Sequence, residues 1–221
     1  MKYFLSVLAA VLVGSVTAHA TLFSSTDTPK VIPDGNISGI ESTINVSGLD
    51  PTVSSLTLNL NISGGRNGDL YAYLTHDNAT AILLNRVGRG EVAGGYDNNG
   101  FNVTIADGSP DIHTYQLGGV NLTGPLTGTW GPDGRDVSPF VSTTSSSRTS
   151  FLSNFTGGNA NGSWTLFIAD VNGNTSESTL DSWSLDITAV PEPVDYALMA
   201  FGGIFAAVQG VRYMKKRKVV A

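Results

Sequence analysis

Short runs of alternating apolar and polar residues recur through the middle of the chain. The longest lies in Ser54–Ile62, where every second residue from Leu56 onwards is leucine or isoleucine and the residues between are threonine or asparagine. A period of two places successive side chains on opposite faces of a β-strand. The same alternation returns in segments that end at Ile105, Ile168 and Ile187. These segments are predicted to be strands with one buried and one exposed face.

Pairs of glycine, asparagine and aspartate residues separate the alternating runs. Such pairs favour tight turns because they accept backbone conformations that other residues avoid. No segment between them has the apolar periodicity of a long helix. The pattern therefore predicts an all-β domain, an antiparallel β-sandwich or jelly roll. The pairs include Gly64-Gly65, Asn67-Gly68, Asn99-Gly100, Asp107-Gly108 and Asn172-Gly173.

The first 20 residues have the pattern of a secretory signal peptide. A basic start at Lys2 is followed by an apolar run through Val16 and then by the small residues Ala18 and Ala20. Small residues at these two spacings mark a cleavage site for signal peptidase. Residues 1–20 are therefore predicted to be removed on export, with cleavage after Ala20.

Residues 190–221 are predicted to form a separate C-terminal segment. Pro191 and Pro193 cannot continue a strand, so they end the domain. The apolar stretch 196–211 is barely long enough for a single transmembrane helix, which takes about 20 residues. The basic tail from Arg212 to Lys218 belongs on the cytoplasmic side of such a span. The domain between the two ends is then expected to cover residues 21–189.

Charge and cysteine content limit the kinds of partner and of fold. The 221 residues include no cysteine, so the domain must be held together by packing, with or without a bound metal. Lysine and arginine together number 12 against 18 aspartates and glutamates, and half of the basic residues lie in the two end segments. The middle domain is therefore strongly acidic. An acidic surface repels a phosphate backbone, which excludes nucleic acid as a partner.

Three aspartates are candidate metal ligands. Asp69 and Asp170 lie at predicted strand ends beside glycine turns, and Asp181 lies in the following alternating run. Calcium binds clustered oxygen ligands of this kind. Aspartates beside glycines more commonly cap turns. Both interpretations, turn caps and a calcium site, stay open at the level of sequence.

The chain carries no recognisable catalytic motif. Outside the predicted signal peptide its histidines are His76 and His113, and both are expected at the surface. There is no Gly-x-Ser-x-Gly elbow and no His-Glu-x-x-His zinc motif. Gly88–Ala93 matches a dinucleotide-binding spacing, but the glycines and asparagines after it cannot form the required helix. We therefore expect a protein that is not an enzyme, with no catalytic and no cofactor-binding residues.

The C-terminal segment resembles a PEP-CTERM sorting signal. Its parts are Pro191-Glu192-Pro193, the apolar stretch and the basic tail, in that order. The resemblance implies export in a Gram-negative bacterium and recognition by a membrane-embedded exosortase. It also implies that the chain is anchored in the inner membrane before the tail is removed. Afterwards the chain would be located at the cell surface or outside the cell. Proteins with this signal often accompany exopolysaccharide and biofilm production.

The middle of the chain resembles the proprotein convertase P domain, also called the P/Homo B domain, from about Val31 to Thr188. P domains usually follow a subtilisin-like serine protease domain, and no such domain is recognisable here. The matching segments are, in chain order, Ile32-Pro33-Asp34, Gly68–Leu74, Gly100–Asp107, Gly162–Asp170 and Leu180–Leu185.

Three functions follow from these resemblances and from the composition. The first is an exported, non-catalytic P-domain module that acts in the cell envelope or in an exopolysaccharide matrix. The second is an accessory or stabilising partner of a separate subtilisin-like serine endopeptidase. The third is a carbohydrate-binding jelly roll, which would need exposed aromatic rings. The candidates for those rings are Tyr71, Tyr73, Tyr96 and Tyr115.

Overall fold

The computed structural model describes residues 19–117, 124–173, 177–191, 201–210 and 212. The chain divides into two compact units. One covers His19–Val190, and the other combines Met1–Ala18 with Pro191–Ala221. In the second unit residues 201–210 are helical. Across the described ranges, no helix is both long and apolar enough to cross a membrane.

The described part of the first unit is built from ten strands and three short 3₁₀ turns. The turns lie at Asn67–Asp69, Ile112–Thr114 and Leu152–Phe155. The strands are β1 (Ala20–Ser24), β2 (Lys30–Ile32), β3 (Ile40–Val46), β4 (Thr52–Gly64), β5 (Leu70–His76), β6 (Ala79–Asn85), β7 (Phe101–Ile105), β8 (Leu126–Trp130), β9 (Gly162–Asp170) and β10 (Ser178–Val190).

The strands form two sheets that enclose one core. The larger sheet has the order β1-β10-β4-β7-β8, and β2 pairs with the first three residues of β10. The smaller sheet has the order β3-β9-β5-β6. Buried side chains from both sheets belong to a single hydrophobic cluster. The predicted all-β sandwich is therefore confirmed.

The alternation seen in the sequence sets which face of each strand is buried. In β4 the side chains of Leu58 and Leu60 are buried, whereas Asn59 between them is partly exposed. Trp164 of β9 and Trp183 of β10 are at most 2% exposed. The indole of Trp183 also donates a 2.7 Å hydrogen bond across the core to the hydroxyl of Ser42 in β3. Polar as well as apolar contacts therefore join the two sheets.

One pairing differs from the predicted antiparallel arrangement. β8 runs parallel to β7, from Phe101 opposite Leu126 to Ile105 opposite Trp130. Parallel neighbours require a crossover connection of a dozen or more residues, and residues 106–125 provide one. The alternation of apolar and polar residues carries no information on the direction of a strand, so it could not predict that β7 and β8 are parallel.

Candidate functional site

Asp69 lies in a buried ion-pair cluster at one end of the smaller sheet. It ends the 3₁₀ turn before β5, and its side chain is completely buried. One carboxylate oxygen lies 3.5 Å from the guanidinium of Arg86 and 3.8 Å from that of Arg66. The side-chain amide of Asn172 donates a 3.1 Å hydrogen bond to the same oxygen. Two arginines therefore balance the charge of Asp69.

Asp170 is the last residue of β9 and is also completely buried. Its Oδ1 accepts a 3.0 Å hydrogen bond from the backbone N–H of Asn172. Its Oδ2 is buried and accepts no hydrogen bond from the described residues. Burial raises the pKa of Asp170 to about 6, and the negative charges of Asp69 and Asp34 add to that effect. Asp170 thus has no direct ion pair of the kind that Asp69 has, although backbone N–H groups and the charge of Arg86 act in the opposite direction to burial.

Asp34 belongs to the same end of the fold, and sequence reasoning missed it as a candidate ligand. It follows β2, and its Oδ1 is a second buried carboxylate oxygen that lacks a partner among the described residues. The next residue, Gly35, packs so tightly on Gly173 that a Cβ on Gly35 would lie 2.6 Å from the Gly173 Cα. This contact holds the loop after β2 against the loop after β9. The sequence signal for this position is the Ile32-Pro33-Asp34 segment of the P-domain resemblance.

Asp181 is placed apart from this group. It lies on β10 of the larger sheet, where the hydroxyl of Ser63 donates a 3.1 Å hydrogen bond to its carboxylate. No three histidine, aspartate or glutamate side chains in the described ranges converge as a metal site of that kind would require. The structure therefore brings Asp69 and Asp170 together and separates Asp181 from them.

His113 is buried within a second charged cluster, and its predicted surface position is wrong. Its Nδ1 lies 2.7 Å from Oδ2 of Asp133, and its Nε2 lies 3.0 Å from the carbonyl oxygen of Arg89. Asp133 also pairs with Arg135, which is 2% exposed and donates a further 2.9 Å bond to Asp111. Residues far apart in sequence supply these partners, which explains why the local pattern did not reveal the burial.

His76 at the end of β5 is only 4% exposed, so its predicted surface position is also wrong. Its Nδ1 lies 2.9 Å from the carbonyl oxygen of Ser163, and its Nε2 lies 2.8 Å from that of Asn159. The ring stacks on Trp164 with its centroid 4.0 Å from the centroid of the indole. His76 therefore joins β5 to β9 and to the turn that precedes it.

Neither histidine is placed to act as a general base. In a serine-protease triad one ring nitrogen contacts the aspartate and the other faces the nucleophile. His113 and Asp133 reproduce the first contact, but a backbone carbonyl of Arg89 occupies the position of the nucleophile. Both ring nitrogens of His76 face backbone carbonyls. The roles visible for these side chains are structural.

The second charged cluster borders the segment of the chain that is similar to a known family. Residues 135–187 match the model of the proprotein convertase P-domain. This segment is P-domain-like. It begins at Arg135, includes β9 and most of β10, and contains both buried tryptophans.

The solved structures that are similar to the chain include two of a bacterial serine protease. One is the Aeromonas sobria serine protease (ASP) in complex with the chaperone (ORF2), at 18% identity over 78% of this chain with a TM-score of 0.44. The other is the serine protease of Aeromonas sobria, at 17% identity over 77% of this chain with a TM-score of 0.42. In both comparisons the chain spans 26% of the length of the matched protein. No curated protein matches the chain.

The four tyrosines considered for carbohydrate binding fall into two groups. Tyr96 and Tyr115 are at most 2% exposed, so they cannot present open rings. Tyr71 and Tyr73 are half-buried on the outer face of β5. The ring of Tyr73 stacks on Phe167 of the P-domain-like segment, with centroids 4.7 Å apart. These last three residues form a row that we call the outer aromatic row.

The predicted processing sites are described only in part. Ala20 is the first residue of β1, where it is exposed and pairs with Thr188 of β10. Pro191 directly follows β10. Ala18 lies outside the described residues, as do Glu192 and Pro193. The same holds for most of the basic tail, and for 196–200 and 211 of the apolar stretch.

Proposed function

We propose that the chain is an exported, non-catalytic P-domain module that acts by binding a partner in the cell envelope or extracellular matrix. The observation that carries the proposal is the P-domain match over residues 135–187, which includes two of the central strands of the sandwich. P-domain families are generally accessory modules of proteases. The domain would therefore provide a stable surface rather than a reaction centre.

The non-catalytic part of the proposal is supported by the partners of the two histidines. Hydrolysis of a peptide by a serine protease needs a nucleophile within reach of a base. The ring nitrogens of His76 and His113 contact carbonyl or carboxylate oxygens instead. We expect the purified chain to hydrolyse neither casein nor a mixed fluorogenic peptide library. Turnover that is lost in a folded His113→Gln variant would contradict the proposal.

A separate subtilisin-like serine endopeptidase is the partner that the P-domain likeness favours. An accessory module of this kind would stabilise the protease by binding its folded state. The test is the half-life of a subtilisin-like protease without a P domain at elevated temperature, with and without an excess of this chain. We expect a longer half-life with the chain than with serum albumin at the same concentration. Equal half-lives would contradict a stabilising role.

Export and sorting form the part of the proposal that comes from the two ends of the chain. An exosortase would recognise Pro191-Glu192-Pro193 and remove the basic tail. We expect mass spectrometry of the released protein to find an N-terminus at Thr21 and no peptide that contains Lys215–Lys218. Recovery of that peptide from released protein would contradict tail removal.

Binding of exopolysaccharide is a second candidate function, and the outer aromatic row favours it. Aromatic side chains on an outer sheet face can bind the apolar face of a sugar. Tyr73 and Phe167 stack on each other at an interplanar angle of 17°, Tyr71 lies beside Tyr73 with centroids 5.8 Å apart, and all three side chains are partly exposed. Retention of the chain on immobilised exopolysaccharide would favour this function if Tyr73→Ala abolishes it and Phe140→Ala, at an exposed aromatic, preserves it.

A further inference from the structure

We infer that the carboxylates of Asp34 and Asp170 bind a calcium ion at the end of the sandwich where β9 finishes. The inference does not depend on the proposed function, because it concerns only buried groups within the sandwich. It replaces the predicted grouping with Asp181 and adds Asp34, which the sequence did not single out as a ligand.

The first step of the argument is the unpartnered oxygen of Asp170. Alternate residues of a strand share one face, and Asp170 lies on the same face of β9 as the buried Trp164, Leu166 and Ile168. Its side chain therefore points into the sandwich. Its exposed fraction is 0%, and its Oδ2 has no hydrogen-bond donor among the described residues. A buried ionised oxygen without a donor or a counter-charge is strongly unfavourable. A proton, a water molecule or a cation can satisfy this oxygen, and the charge of its neighbours decides among them.

The second step is the position of Asp34. The loop that carries it is fixed against the loop after β9 by the close approach of Gly35 and Gly173. The same contact brings Asp34, one residue before Gly35, to the loop that directly follows Asp170, so the two carboxylates belong to the same end of the sandwich. Oδ1 of Asp34 is also buried without a donor. Two carboxylates with free, buried oxygens thus repel each other unless a cation lies between them.

The third step is charge balance. Asp69, which is next to this pair, has its own counter-charges in Arg66 and Arg86. Within the described ranges, no lysine or arginine nitrogen lies within 4.0 Å of either Asp34 or Asp170. The two neighbouring carboxylates therefore differ from Asp69 in having no direct ion pair, although the more distant charge of Arg86 also acts on Asp170. A divalent ion would supply the charge that the arginines supply to Asp69.

The ligand chemistry favours calcium over zinc or magnesium. Zinc sites use histidine and cysteine, and neither residue is near this pair in the described part of the chain. Magnesium requires nearly ideal octahedral geometry, whereas calcium accepts six to eight oxygens in flexible arrangements, backbone carbonyls and waters included. Ser178, at the start of β10, has a further buried and unpartnered hydroxyl at this end of the sandwich. Two carboxylates with neutral oxygens predict the modest affinity of extracellular calcium modules, with Kd about 10⁻⁴–10⁻³ M.

The experiment is a calcium titration of the purified chain after treatment with EDTA. Isothermal titration calorimetry would measure binding, and the melting temperature would be followed in parallel up to about 10 mM CaCl₂, which covers the expected Kd range. Because calcium binds the folded state, we expect the melting temperature to rise with the logarithm of its concentration. Magnesium chloride at equal ionic strength should give a much smaller rise.

Two ligand variants and one matched control make the test specific. Asp34→Asn and Asp170→Asn should each weaken calcium binding by at least about 10-fold, because each removes one of the two charged ligands. Asp181→Asn removes an aspartate on the other sheet and should leave the affinity unchanged. Both ligand variants should remain folded in EDTA, since each removes an uncompensated buried charge.

Three results would overturn the inference. The first is the absence of both a calorimetric signal and a change in melting temperature. The second is calcium binding that survives in both ligand variants, which would place the ion elsewhere. The third is equal weakening by Asp181→Asn, which would indicate a general effect of surface charge rather than a site formed by Asp34 and Asp170.

Discussion

The imidazole of His76 lies flat on the indole of Trp164, with 4.0 Å between the ring centroids and 5° between the ring planes. Phe155 covers another part of the same indole, with centroids 5.0 Å apart, and the indole N–H donates a 3.1 Å bond to the carbonyl of Ala160. A single side chain of β9 therefore joins a strand end, a 3₁₀ turn and a loop.

Trp164→Ala should be among the most destabilising single substitutions in the chain. It would remove a completely buried indole and its contacts with two rings, which typically costs about 3–5 kcal/mol. Urea denaturation followed by circular dichroism would measure the loss. Phe140→Ala is the matched control, because Phe140 is 51% exposed and its removal should change stability little. A small loss at Trp164 would mean that the indole is not in the core.

His76→Phe tests the polar contacts of the imidazole nitrogens separately from the stacking of the ring. Phenylalanine keeps a flat ring over Trp164, but it removes the imidazole N–H that faces the carbonyl oxygens of Ser163 and Asn159, to one of which a neutral ring can donate. An unsatisfied buried acceptor costs about 1–3 kcal/mol. We expect a lower urea midpoint than for the unmodified chain. An unchanged midpoint would show that water replaces the imidazole at both carbonyls.

Arg135→Met should destabilise the second charged cluster. It would leave the carboxylates of Asp111 and Asp133 without the guanidinium that now bridges them at 2.9 Å and 3.2 Å. Removing one partner of a buried ion pair typically costs about 3–5 kcal/mol. Lys30→Met is the comparison, because its pair with Asp27 is about one-third exposed on both sides and should contribute less than about 1 kcal/mol. Equal losses at the two positions would contradict this interpretation.

Asp170 should make the calcium-free protein less stable as the pH rises from about 4 to above 6. The pKa of its carboxyl is about 6 in the folded protein against an ordinary value of 3.8, so the folded state binds the proton more tightly. The resulting stabilisation is complete below the ordinary pKa and is lost as the pH rises through the folded value. Two pKa units correspond to about 3 kcal/mol.

The measurement is the difference in unfolding free energy between Asp170→Asn and the unmodified chain, in EDTA, at several pH values. Because the variant lacks the titrating group, its stability relative to the unmodified chain should increase with pH. Other titrating groups cancel in this difference as long as the substitution does not disturb them. A difference that stays constant across the range would mean that Asp170 is not held in an uncompensated buried environment.

The buried faces of the long strands were predictable, whereas the polar clusters were not. Alternation placed Leu58 and Trp183 in the core, because the period of two is a property of each strand alone. In β6, by contrast, Ala81 to Leu84 are all buried, so that strand gives no alternation. The burial of His113 depends on Asp133 and Arg89, which tertiary structure brings together over about twenty residues on each side. Such contacts leave no local pattern.

The ligand set proposed for calcium illustrates the same limit. Asp69 and Asp170 were recognisable because each stands beside a turn in a strand-like context. Asp34 reaches the same end of the fold through the pairing of β2 with β10 and the contact between Gly35 and Gly173. Asp181, close to Asp170 in sequence, is carried to the other sheet by β10. Distance along the chain was therefore a poor guide to which carboxylates meet.

The antiparallel pairing of β1 with β10 determines how the sandwich would respond to mechanical load. Ala20 pairs with Thr188, and Ser24 pairs with Ser184, so the start of β1 and the finish of β10 lie at the same end of this strand pair. A force that pulls these ends apart acts across the strands and loads their hydrogen bonds one after another. Strands sheared along their length would instead share the load. Under tension the sandwich should therefore open at β1 first, at low force, while the core behind β10 remains folded.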